Sequence, residues 1–222
     1  AHAPLKLPFR NPHAAASSSS SSAAPPRGEN PFAKGKWITD FQIGMSNADV
    51  SFDGTIDLEN ETKENSWEGE IGYFLADNFA AGLTIAHGMT ESTLTNTTAG
   101  TSSYNENEFD LTAVFAQYFF GKDDATWRGF LKVAAGSLKM HDNNEDATFS
   151  QSAEGNGFAY LVAPGVVYML ADNVGLELTY NYLNADTIDR TVNGNWAGNA
   201  YTEDTTESFS STILQLGVLI TF

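Results

Sequence analysis

Acidic, amide and basic side chains recur at every second position along short stretches of this chain. Asp40 and Gln42 alternate in "WITDFQIGM", Glu68 and Glu70 in "SWEGEIGYFL", and Glu177, Thr179 and Asn181 in "NVGLELTYNY"; Lys132 stands in "FLKVAAG". A spacing of two places such groups on one face of an extended strand. If that face points inward, its charges must pair, because an unpaired buried ion is costly. Lys132 is therefore expected to bridge Glu70 or Glu177, with Thr112 and Gln215 completing the polar set. The set holds four carboxylates to one lysine, so water, protons or cations would share its space. A narrow cation-preferring pore using Asp40, Glu68, Glu70 and Glu177 is one chemistry these residues allow; a plugged polar core is the other.

The elements that must carry these residues are legible as alternation. Eight segments show it, at about 36–46, 66–75, 79–89, 106–120, 128–139, 157–170, 174–184 and 208–222. Each reaches the nine to eleven residues, roughly, that a tilted strand needs to cross a bilayer. The segment "FDLTAVFAQYFF" can be read in either phase near its end. Short connections, "ADN" at 76–78 and 171–173 and "GKDDAT" at 121–126, alternate with long polar stretches at 47–65, 90–105, 140–156 and 185–207. Short turns at one end and long loops at the other predict an all-β fold, an eight-stranded antiparallel transmembrane β-barrel, with both ends of the barrel on the short-turn side. A soluble barrel with inward apolar faces is the rival fold. Against it stand the long apolar strand at 208–222 and two expected aromatic girdles. Trp37, Phe79, Phe119, Trp127, Tyr168 and Phe222 would form one, and Trp67, Phe109, Phe158 and Tyr182 the other.

Residues 1–35 differ in kind. "HAAASSSSSSAAPPRG" cannot bury a core and reads as a linker, making 1–35 a tail and 36–222 the barrel. Within the tail Leu5, Leu7 and Phe9 alternate between prolines, a pattern suited to docking against another protein. Charge follows the same division. Residues 1–36 hold five of the eleven basic residues and one acid; the rest holds six basic and twenty-seven acidic residues, which disfavours a nucleic-acid partner. There is no cysteine, hence no disulfide framework and no thiolate chemistry. No stretch is long and apolar enough for a transmembrane helix. Without a secretory signal at its start, an exported chain is expected in its mature form. "HDNNED" at 141–146 concentrates oxygen ligands but lacks the glycine and spacing of a calcium loop, and reads as a solvated acidic loop.

"GYFLADNFAAGLTIA" (Gly72–Ala86) and its echo "VVYMLADNVGLELTYN" (Val167–Asn181), with "VFAQYFFG", "PGVVYML" and Phe222, resemble the small eight-stranded outer-membrane β-barrel proteins, similar to the OmpA and OmpX barrels and to a Bacteroidetes-type barrel family. The resemblance covers about 36–222. It implies a bacterial outer membrane, lipid around the barrel, a periplasmic tail, extracellular loops, and Phe222 as the signal read by the barrel-assembly machinery. Members include anchors, adhesins, pores, lipid enzymes and complex subunits. Barrel lipid hydrolases of this kind carry a serine two residues from a histidine; His87 and His141 have none there. The expectation is therefore a non-enzymatic structural or interaction component of the envelope, without a cofactor or metal. It would engage another envelope protein through tail or acidic loops.

Overall fold

The computed structural model describes residues 30–52, 58–96, 101–122, 125–146, 149–196 and 198–222; for 46–52 and 58–59 it describes the backbone alone. Eight strands follow one another: β1 (Trp37–Phe52), β2 (Leu58–Ala76), β3 (Phe79–Asn96), β4 (Thr101–Phe120), β5 (Trp127–Glu145), β6 (Phe149–Met169), β7 (Val174–Trp196) and β8 (Asn199–Thr221). Each pairs with its neighbour, and β8 returns to β1 to close the barrel.

Closure answers what holds the apolar end of the chain. The Trp37 amide donates to the Phe222 carbonyl at 2.7 Å, and the Phe222 amide donates to Trp37 at 3.1 Å. From Thr221 to Leu216 the backbone of β8 is paired on both sides, which leaves no polar edge to lipid there. Its outer row is bare: Leu214, Leu216, Val218, Ile220 and Phe222 are exposed, as are Phe41, Ile43, Ile71, Leu83 and Val114 on other strands. Such a continuous apolar band marks a surface that meets lipid rather than water. Aromatic pairs border it. Trp37 packs on Tyr73, Tyr118 on Phe120 and Trp127 on Tyr168, with ring centres 5.3, 5.0 and 4.7 Å apart.

Two expected girdle residues belong elsewhere. Phe119 is buried inside the barrel, and Phe109 packs against an inner apolar cluster. The inward phase of β4 is set by Leu111, Ala113, Phe115, Gln117 and Phe119. The same phase turns Thr112, expected in the lumen, outward.

The strands also run further than the alternation suggests. They span 16 to 23 residues, so most of the four long polar stretches are paired ladder, not loop. β7 and β8 stay paired to Trp196 opposite Asn199, with one register shift between Ala185 and Ile188. The β1–β8 seam is the exception. Its register covers only Ile38–Ile43 against Thr221–Leu216, while β1–β2 continues to Phe52 opposite Leu58. Among the described residues, β8 above Leu216 therefore presents an unpaired edge.

The tight turn between β2 and β3 uses Asn78 at φ 65°, the left-handed backbone that the Asp-Asn pair tolerates. At this end Asn30–Gly35, assigned to the tail by composition, folds into the barrel mouth. Phe32 is fully buried, its carbonyl accepts from the Asn78 amide at 2.7 Å, and its ring stacks on Phe119 at 4.1 Å. The packed unit thus begins by Asn30, five or more residues before the change in sequence rhythm. Residues 1–29, with Leu5, Leu7 and Phe9, lie outside the described residues.

Candidate functional site

Four layers fill the barrel, starting from the short-turn end. The first is apolar: Phe32, Ile38, Phe74, Ala80, Phe119, Phe130, Val167, Met169 and Leu219. Arg128 lies buried across it, with its guanidinium 4.7 Å from the Phe32 ring centre, donating to Asn78 Oδ1 at 2.6 Å. Burying Phe32 alone is worth about 1.5–3 kcal/mol, so this cork is a firm one.

The second layer is ionic and holds every lumen residue expected from alternation except Thr112: Asp40, Gln42, Glu68, Glu70, Lys132, Glu177, Thr179, Asn181 and Gln215 are all buried. Lys132 Nζ donates to Glu70 Oε1 at 2.6 Å and to Glu68 Oε1 at 2.9 Å. Glu177, the other partner expected for Lys132, takes its hydrogen bonds instead from Gln42 Nε2 at 2.9 Å and Thr179 Oγ1 at 3.1 Å. Gln42 donates to Asp40 as well, so one amide ties two carboxylates together. Gly217 makes room for this: a Cβ there would sit 2.6 Å from Gln42 Cγ and 3.1 Å from Asp40 Oδ1. Thr84 and Asn181 donate to Glu68 at 2.8 and 3.1 Å, and Gln215 donates to Ser66 at 3.0 Å. Among the described residues, Asp40 Oδ1 and Glu177 Oε2 have no donor.

Above lies a second apolar layer, with Leu111, Phe115, Leu138, Leu161, Leu183 and Ile188 at its centre and Phe109, Met140 and Phe209 along its rim. Between this layer and the ionic one lies a small cavity of about 20 Å³. Through the described residues the lumen is packed side chain against side chain.

The fourth layer is an open vestibule beyond the lipid-facing band. Its two lobes measure about 420 Å³ and about 210 Å³ and share Asn107, Asp142 and Arg190. Arg190 is 9% exposed and forks between Asp142 of β5 and Glu207 of β8. Burial holds the Asp142 carboxyl above the usual aspartate range, against the pull of Arg190 and with the push of Glu207. Two local devices bring the arginine inside. On β7 the pairing slips between Ala185 and Ile188, leaving an extra residue that turns Ile188, Arg190 and Val192 inward. On β6, opposite Arg190, stands Gly155, where a Cβ would meet Arg190 Cγ at 2.5 Å. Strict alternation from Ala185 points to Thr187, Asp189 and Thr191 instead, so sequence reasoning missed Arg190. The signal available was an arginine and a facing glycine inside a polar stretch.

The same alternation divides "HDNNED". Asp142 and Asn144 line the vestibule, while His141, on the opposite face, lies 3.8 Å from Glu154. Among the described residues no group of three or more His, Cys, Asp or Glu is placed to hold a metal ion. His87 faces outward, stacked on Trp67 and 3.0 Å from Asp110. On the outer wall of β4–β8 a further concavity of about 830 Å³ is lined by Glu108, Asp110, Glu154, Asp189 and Asp204 with Lys139.

The family model of the outer membrane protein beta-barrel domain matches residues 13–222. No curated protein sequence matches the chain. Among solved structures, the chain is similar to the outer membrane protein OprG from Pseudomonas aeruginosa, with a TM-score of 0.55 and 14% identity over 86% of this chain and 97% of that one. It also aligns with Neisserial surface protein A, at TM-score 0.46 and 16% identity over 85% and 98% of the two chains. With the outer membrane protease OmpT from Escherichia coli the values are 0.49 and 9% over 85% and 94%. At the identity seen with OprG, what is shared is the fold.

Proposed function

The chain belongs to the family of bacterial outer-membrane β-barrel proteins, and we propose that it acts there as a closed, non-enzymatic scaffold whose extramembrane sheet and N-terminal tail engage other envelope proteins. One observation carries the reading: the strands run 16 to 23 residues where a bilayer asks for roughly nine to eleven. An anchor alone needs no such surplus. Here the surplus is hydrogen-bonded sheet with an acidic outer wall and, on β8, an unpaired edge that another chain's strand can extend. The acids favour a basic partner. With Phe222 and Asn30 at the short-turn end, we take that end as periplasmic and the long ladders as extracellular. Leu5, Leu7 and Phe9 would then meet a periplasmic partner, and Phe222 the assembly machinery.

The test is the mass of the particle extracted in mild detergent, for the full chain, for a chain lacking residues 1–29 (which spares Phe32), and for one with 189–206 replaced by a tight turn. A large particle that shrinks with either deletion supports the role and says which surface holds the partner; replacing Leu5, Leu7 and Phe9 by Ser should mimic the first deletion. A lone barrel in all three contradicts it.

A further inference from the structure

We propose that the vestibule around Arg190 is a binding site for a neutral saccharide. The site is built, and the barrel does not need it. It lies beyond the lipid-facing band, yet a strand bulge and a facing glycine are both spent on burying one guanidinium between Asp142 and Glu207. Bulges of this kind re-aim side chains next to functional sites. Burying a charge so close to the chain's outer end contributes little to stability compared with apolar packing. Its use is to hold a planar, charged group at a fixed place in a cavity, with Arg190 Nε and Asp142 Oδ1 left without partners among the described residues.

The lining selects the ligand class. The floor carries apolar carbon, Phe109 and Phe209 with ring centres 5.6 Å apart and Met140 and Ile188 beside them. Sugar rings present C–H faces that pack on such a floor. The walls of the smaller lobe carry Asn105, Asn107, Asn144 and Gln151. Each carboxamide both donates and accepts, as each sugar hydroxyl does. The Asp142–Arg190–Glu207 group keeps one net negative charge, and Glu64 stands nearby, so an anion is repelled. The larger lobe, about 420 Å³, falls in the range of small-molecule pockets. This activity is independent of the protein-binding role proposed above, and neither fails with the other.

The experiment uses the full-length folded barrel in a detergent without a sugar headgroup, labelled with ¹³C at methionine and isoleucine methyls. Met140 and Ile188 report the floor directly. Glucose, galactose, mannose, N-acetylglucosamine and their β-linked disaccharides are titrated, with spermidine and inorganic phosphate as charged controls. At least one saccharide should shift both methyls saturably. Asn107→Ala, Phe209→Ala and Arg190→Lys should each weaken that binding roughly tenfold or more while the heat-modifiable mobility of a folded barrel is kept. Three results overturn the proposal: no saccharide moves either methyl, spermidine alone does, or the folded variants bind as tightly as the parent.

Discussion

At the residue scale the central object is Lys132, held between Glu68 and Glu70 with no exposure to solvent. Removing one partner of a buried ion pair leaves the other charge uncompensated, at about 3–5 kcal/mol. Lys132→Met is therefore expected to lower the barrel's unfolding free energy by about that amount in urea titrations in micelles. Adding Glu68→Gln and Glu70→Gln should restore most of it. A loss under about 1 kcal/mol for Lys132→Met would mean that the pair is not desolvated as the structure has it. These residues were legible in the sequence because they sit where alternation is regular and each strand has one lipid face. Thr112 was misread because β4 is apolar on both faces: Phe115 and Phe119 fill the lumen while Val114 and Phe120 meet lipid. In such a strand hydropathy cannot choose a phase; only the partners across the barrel do.

At the element scale the telling feature is β7. Its outer half reads as a loop, since Asn, Asp and Gly are poor strand formers. It is strand because β6 and β8 offer a ladder on either side, out to Phe149 and Asn199 opposite Trp196. Tertiary pairing overrides local preference there, and the added bulge reverses the phase with only Ile188 and Val192 as a local hydrophobic signal. The bulge makes a reciprocal prediction. The chain has no cysteine, so single cysteines can be read cleanly. Asp189→Cys and Thr191→Cys should react quickly with a bulky maleimide on folded protein, and Ile188→Cys and Val192→Cys slowly. The opposite order would place the strand in unbroken alternation and take Arg190 out of the vestibule. The turn at Asn78 was the easier case, because a short Asp-Asn connection carries its own geometry.

At the scale of the whole molecule, the barrel is a bilayer-spanning wall around a solid interior. A cork of aromatic rings, an ionic layer and a second apolar layer follow one another along its axis, and only beyond them does space open. An eight-stranded barrel is just wide enough for side chains to fill it, and here they do. Sequence alternation announced the wall and the ionic layer. It did not announce the aromatic cork, which depends on Phe32 folding in from a segment that composition assigns to a linker. The measurement that tests this account most directly is conductance in planar bilayers, on protein whose insertion is verified independently. A lumen filled by side chains predicts electrically silent membranes at neutral pH. Stepwise, cation-selective currents would contradict it and would mean that the carboxylates of Asp40, Glu68, Glu70 and Glu177 line a path for ions.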